Sequence, residues 1–168
     1  MEPKDPFATT ALPELELLPD EQRVSTGIPV RREPDLASKF LILVVDDLAD
    51  NVAMLSLDLQ QEGYRVVTAT NGEEAINVAS ATVPNLILMD ISMPRLDGLG
   101  ATRRIREIET LRDVHVIAVT AFGTEGFQRA AYDVGVSGYL TKPIDFERMH
   151  QLISRLLLHP NSGNLIAR

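Results

Sequence analysis

Four apolar runs in this 168-residue chain end on residues suited to phosphate chemistry. Asp46-Asp47 follow Phe40 to Val45, Asp90 follows Asn85 to Met89, and Thr120 follows Val114 to Val119. The shorter run Gly138-Tyr139-Leu140 leads into Thr141-Lys142-Pro143. As neighbouring strands of a parallel sheet, these runs would bring their polar ends to one edge, where open α/β sheets bind ligands. Three carboxylates, a hydroxyl and an ammonium would then share a crevice. Crowded carboxylates repel one another and their pKa values rise unless positive charge is supplied. A hard divalent cation such as Mg2+ is its natural source.

The segments between the runs supply the elements that must hold them. Phe40 to Val45 is apolar at every position, the mark of a strand buried on both faces. A first helix is predicted from about Asp50 to Glu62 on Val52, Leu55 and Leu59, with Gly63 as its left-handed stop. Arg65 to Ala69 reads as the second strand. Asn71 is the expected N-cap of a second helix, with Glu74 completing a capping box and Pro84 ending it. Asn85 to Met89 is the third strand, and a third helix runs from about Gly98 to Glu109 on Ala101, Ile105 and Ile108. Val114 to Val119 is the fourth strand. A fourth helix spans about Thr124 to Val134 with Phe127, Ala130, Ala131 and Val134 inward, closed by Gly135. After the short fifth strand, a fifth helix starts near Asp145 with Phe146, Met149, Ile153, Leu156 and Leu157 as its apolar stripe. Alternation of this kind predicts an α/β fold, a doubly wound five-stranded parallel sheet with five helices. Right-handed crossovers favour the flavodoxin-like order 2-1-3-4-5, which makes strands 1 and 3 neighbours at the switch point and gathers Asp46, Asp47 and Asp90.

Composition sets limits on function. The chain has no cysteine, so neither disulfides nor a Cys-based zinc site is available. Its formal charge of -8 opposes sequence-independent nucleic-acid binding, which needs Lys and Arg against phosphates. No window reaches the roughly 20 apolar residues of a membrane span, and the N-terminus lacks a signal-peptide pattern. A cytoplasmic protein that binds neither nucleic acid nor membrane is expected. Residues 1–38 carry six of the ten prolines and eight acidic against four basic residues, the composition of a disordered arm. Within it, Leu12 to Leu18 has room for about a turn and a half of helix between Pro13 and Pro19. Residues 39–158 form the expected folded domain, and residues 159–168 a fraying tail.

Four motifs stand in order with suitable spacing: Val44-Val45-Asp46-Asp47, Leu88-Met89-Asp90-Ile91-Ser92-Met93-Pro94 through Asp97-Gly98, Thr120-Ala121, and Tyr139-Leu140-Thr141-Lys142-Pro143. In this, residues 39–158 resemble the receiver domain of two-component response regulators, of the stand-alone, chemotaxis-regulator-like or phosphorelay-like kind. The resemblance implies that Asp90 is the phosphoacceptor, a carboxylate nucleophile taking a phosphoryl group from a histidine kinase or a histidine phosphotransfer protein. It implies that Asp47 binds Mg2+ directly, that Asp46 holds one of its waters, and that the Ser92 backbone carbonyl is a third protein ligand. Lys142 would neutralise a phosphoryl oxygen, with Pro143 joined to it by a cis bond. Thr120 would donate its hydroxyl to the phosphoryl group, and Tyr139 would couple to Thr120 by its rotamer. Ser92 and Phe122 lie where the family tunes access of water to the acyl phosphate.

The implied mechanism is a switch, in which added charge at one point biases a two-state equilibrium. The face built from the fourth helix, fifth strand and fifth helix would select a downstream protein through Gln128, Tyr132, Tyr139, Arg148 and Gln151. The chain is therefore expected to be a single-domain regulator rather than an enzyme, acting by protein contact, with monomer and homodimer both left open. Two alternatives stand beside it. An Mg2+-dependent aspartyl-phosphate phosphatase would carry Asp-x-Asp after its first strand, where this chain has Asp46-Asp47-Leu48-Ala49. A receiver-like scaffold that is never phosphorylated would not need the full acceptor set. Among weaker signals, Gly98-Leu99-Gly100 follows a proline-containing loop and lacks the third glycine of a dinucleotide fingerprint. His115, His150 and His159 have no ligand spacing, and His150 is expected on the exposed side of the fifth helix. Arg103, Arg104 and Arg106 read as a solvated basic side of the third helix.

Overall fold

A computed structural model describes residues 36–158 of the chain. Five strands, β1 (Leu41–Val45), β2 (Arg65–Ala69), β3 (Leu86–Asp90), β4 (His115–Thr120) and β5 (Gly138–Thr141), form one parallel sheet in the order β2-β1-β3-β4-β5. The expected order and the expected five helices are therefore those observed: α1 (Ala49–Gln61), α2 (Gly72–Thr82), α3 (Gly98–Glu107), α4 (Glu125–Asp133) and α5 (Phe146–Leu158).

Period-two alternation along the strands divides the core into two layers. Leu43, Val45, Ile87, Met89, Val116 and Ala118 face α2, α3 and α4, while Ile42, Val44, Leu86, Leu88, Ile117 and Val119 face α1 and α5. Every residue of β1 and β3 is buried, which explains why Leu41 to Val45 and Leu86 to Met89 read as unbroken apolar runs.

The helix ends follow local chemistry. Asn71 caps α2 by accepting from the Glu74 amide at 2.9 Å. The Glu74 carboxylate does not close the expected box on Asn71. It accepts instead from the Thr70 hydroxyl at 2.6 Å and the Thr70 amide at 2.8 Å, which hold its pKa below the ordinary 4.5. Gly63 and Gly135 take the left-handed conformation, at φ 90° and 92°.

Several boundaries differ from the sequence reading. β3 starts one residue later and includes Asp90, and β4 extends through Thr120, because both residues are carried along by ladder pairing with their neighbours. α3 stops at Glu107. Ile108 turns extended (φ -85°, ψ 118°), and a 3-10 turn, Glu109–Leu111, then drives Leu111 into the core. In α4, Ala131 is buried and Phe127 and Val134 are half-buried, but Ala130, expected inward, is exposed. A 3-10 turn, Leu36–Lys39, straddles the expected boundary between residues 38 and 39. The rest of the expected N-terminal arm, including Leu12 to Leu18, and the tail with His159 lie outside the described residues. Among the described residues no helix is long and apolar enough to cross a membrane.

Candidate functional site

The carboxyl ends of β1, β3, β4 and β5 meet at one edge of the sheet. Asp46 follows β1, Asp90 ends β3, Thr120 ends β4, and Lys142 follows β5. Asp46, Asp47 and Asp90 each offer a carboxylate oxygen, all within 4.8 Å of one another. Asp46 and Asp90 are almost fully buried, whereas Asp47 is exposed at the mouth.

Lys142 ties the cluster together. Its ammonium lies 2.7 Å from Asp90 Oδ2 and 3.0 Å from Asp46 Oδ2. Burial alone would lower its pKa, but hydrogen bonds and charge from Asp90 and Asp46 outweigh that and hold the ammonium above the ordinary 10.5. The Lys142-Pro143 bond is cis. The Lys142 amide donates to the Thr120 carbonyl at 2.8 Å, so the lysine is tied to β4 as well as to the acids.

The two buried carboxylates are held differently. Asp90 accepts from two donors, the Ser92 amide at 3.0 Å on Oδ1 and Lys142 on Oδ2. Asp46 accepts on both oxygens from Asn51 Nδ2, at 3.0 Å each, on Oδ1 from the Leu48 amide at 2.9 Å, and on Oδ2 from Lys142. Asp46 thereby also helps to cap α1, whose N-cap residue, Leu48, has no polar side chain.

Thr120 is fully buried, and its hydroxyl oxygen accepts from the Phe122 amide at 3.1 Å. Tyr139 is buried and donates its hydroxyl to the Phe122 carbonyl. Its pKa is raised by burial, opposed by a hydrogen bond with Thr120 and aided by Tyr132. Thr120, Phe122 and Tyr139 thus form one hydrogen-bonded unit beside the acids. Ser92 enters through its amide. Behind the site, Gly98 packs so closely that a Cβ there would lie 2.2 Å from the Asp90 carbonyl oxygen. The glycine rejected as a nucleotide signal therefore serves the packing of β3 against α3.

Tyr132 of α4, Tyr139 of β5, and Arg148 and Gln151 of α5 line a groove of about 370 Å³. Gln128, expected with them, turns towards the Gly123 carbonyl. Arg106 is not solvated as expected. It is half-buried and donates to the Gly135 carbonyl at 2.8 and 3.2 Å and to the Leu111 carbonyl at 3.2 Å, linking α3 to the turn after α4. His150 is not on an open face of α5, because its Nε2 lies 2.6 Å from Asp58 Oδ2 on α1.

Asn51 is the site residue the sequence reading missed. A signal for it existed, because Asn51, Leu55 and Leu59 fall four apart on the inward stripe of α1. A polar residue one turn above a buried stripe, beside a strand-end acid, is placed to reach that acid. As a whole the site offers three hard carboxylates against one ammonium, a donor set that suits an oxygen-preferring divalent cation.

Residues 42–154 match the family described as "Response regulator receiver domain". The chain is 39% identical over 104 residues to the response regulator PleD of Caulobacter vibrioides, covering 62% of this chain and 23% of PleD. It is 34% identical over 116 residues to the polar-differentiation response regulator DivK of Brucella anthropi, covering 69% of this chain and 94% of DivK. Among solved structures it is similar to the receiver domain of the sensor histidine kinase PA1611 from Pseudomonas aeruginosa PAO1, crystallised with magnesium in its active-site cleft. That match has a TM-score of 0.65 and 34% identity, and it covers 70% of this chain and 97% of that one.

Proposed function

Since this chain belongs to the response regulator receiver domain family, we propose that Asp90 is its phosphoacceptor and that phosphorylation there switches protein contacts. One observation carries the assignment. Of the two buried carboxylates, Asp46 meets four hydrogen-bond contacts and Asp90 only two. A carboxylate has about four lone-pair positions, so Asp90 alone of the buried pair keeps electron pairs free to attack.

In the proposed reaction an Asp90 oxygen forms a bond to the phosphorus of a phosphohistidine on a kinase or phosphotransfer protein. The P–N bond breaks, and the imidazole nitrogen leaves with the electron pair. Lys142, already on Asp90 Oδ2, is close enough to follow the charge onto the phosphoryl oxygens, where electrostatic stabilisation does most of the work. Asp46, Asp47, Asp90 and the Ser92 carbonyl are the residues that would hold Mg2+, which when bound supplies charge neutralisation. The PA1611 receiver, with magnesium in its cleft, supports that choice of cation.

The readout follows from the Thr120-Phe122-Tyr139 unit. When the Thr120 hydroxyl turns to a phosphoryl oxygen it gives up the Phe122 amide. The loop whose carbonyl Tyr139 grips then repacks. Tyr139 also lines the groove with Tyr132, Arg148 and Gln151, so we take this groove as the surface a downstream protein reads. We place the chain in the cytoplasm, as a signalling module served by a histidine kinase or phosphotransfer protein. The chain spans about a quarter of PleD and nearly all of DivK, and it is the receiver activity itself that we propose for it.

Incubation with acetyl phosphate and Mg2+, followed by intact-mass analysis, tests this reading. Wild type should gain one phosphoryl group, lost with chelator and absent in Asp90→Asn. A phosphoryl gain that survives Asp90→Asn would overturn the assignment.

A further inference from the structure

We infer that Asn51 sets the cation specificity of this site, because its amide closes the bisector of the Asp46 carboxylate to any cation that needs both oxygens. The inference rests on the reading of the site as Mg2+-dependent and concerns how that cation is chosen.

The four lone-pair positions of Asp46 are all taken. On Oδ1 they meet the Leu48 amide at 2.9 Å and Asn51 Nδ2 at 3.0 Å; on Oδ2 they meet Asn51 Nδ2 at 3.0 Å and Lys142 Nζ at 3.0 Å. A single nitrogen equidistant from both oxygens lies on the plane that bisects the carboxylate, on the side its oxygens face. A chelated cation would need that same place.

Of these contacts only one is free to exchange. Lys142 divides its ammonium between Asp46 and Asp90, and its side chain is 27% exposed. Asn51 and Leu48 cannot withdraw so easily. Leu55 and Leu59, one and two turns further along α1, are buried and fix the rotation of the helix. Asp46 can therefore free one position on Oδ2 but not both oxygens, and Asp47, exposed and hydrogen-bonded to nothing among the described residues, offers the open carboxylate.

This pattern favours one kind of ion. Mg2+ is small, octahedral and reluctant to lose water, and it is satisfied by one or two carboxylates binding through single oxygens. Ca2+ takes more ligands and commonly uses a carboxylate through both oxygens. Removing the Asn51 amide opens the bisector and should help Ca2+ more than Mg2+. A purely structural role for Asn51 would behave differently, since loosening Asp46 would weaken both cations alike.

The test is calorimetric titration of the unphosphorylated full chain with MgCl2 and, separately, CaCl2, for wild type and Asn51→Ala. The expected result is a shift of the Ca2+-to-Mg2+ affinity ratio towards Ca2+ of about tenfold, the factor equivalent to about 1.4 kcal/mol. If Asn51→Ala melts too low to titrate, Asn51→Ser, which is also too short to reach the bisector, is judged by the same ratio. An unchanged ratio, or equal weakening of both cations, with wild type still binding Mg2+, overturns the role of Asn51 alone. Wild type that binds no Mg2+ overturns the metal reading and this inference with it.

Discussion

Replacing Asp47 with Asn should make the cation-free protein more stable. Asp46, Asp47 and Asp90 crowd within 4.8 Å, and Lys142 supplies one positive charge between Asp46 and Asp90. One carboxylate is therefore left uncompensated against Asp47. At 4.8 Å two unit charges repel by about 3.5 kcal/mol at an effective dielectric of about 20, and by about 0.9 kcal/mol at that of water. Asp47 is exposed, which puts the relief near the lower figure, about 1 kcal/mol. For a domain of this size that is about 3–6 °C in thermal midpoint. The assay is thermal unfolding in chelator at low ionic strength, where wild type should melt below Asp47→Asn. Raising the salt to about 0.1 M, where the Debye length is about 10 Å, should narrow the gap. Added Mg2+ should reverse the order, since wild type gains about 2.7 kcal/mol at a hundredfold excess over Kd while the variant gains little. A variant less stable than wild type in chelator, or equal gains from Mg2+, would refute the reasoning.

Three further outcomes are expected. Gly98→Ala, whose Cβ would meet the Asp90 carbonyl oxygen at 2.2 Å and Ile91 Cα at 2.9 Å, should cost about 3 kcal/mol in urea unfolding; wild-type stability would contradict that packing. Arg106→Ala should cost about 2 kcal/mol by stripping the Gly135 and Leu111 carbonyls of a charged donor, with Arg106→Lys recovering only part; a loss under about 0.5 kcal/mol would mean that these bonds contribute nothing net. Burial, with the charge of Arg106 second, holds the His115 imidazole below its ordinary 6.5. The unfolded chain therefore takes up a proton below pH 6.5 before the folded one does. Its stabilising contribution is present above that pH and lost as pH falls through the depressed folded value. Urea unfolding between about pH 5 and pH 7 should show a shallower pH slope in His115→Gln, and identical slopes would contradict it.

The strands were legible because burial on both faces writes itself as an uninterrupted apolar run, as in Leu41 to Val45 and Leu86 to Met89. The strand-end acids were legible for the same reason, since a carboxylate directly after such a run must sit at the sheet edge. Arg106 and His150 were harder, because each acts on a partner set by tertiary packing. Arg106 reaches a carbonyl 29 residues away, and His150 a carboxylate 92 residues away. Helical periodicity gives the phase of a helix but not which carbonyl or carboxylate lies opposite. Ala130 was misplaced because a small apolar side chain adds little to that phase, and Ala131 next to it takes the buried position in α4.

The account stands on Asp90 as the side chain that takes up phosphorus. Borohydride reduction of protein treated with acetyl phosphate and Mg2+, followed by peptide mass mapping, reads this directly, because an aspartyl phosphate is converted to homoserine where it formed. The predicted result is homoserine at position 90 and at neither 46 nor 47. Homoserine at either of those positions, or none in protein that has gained a phosphoryl group, would contradict it.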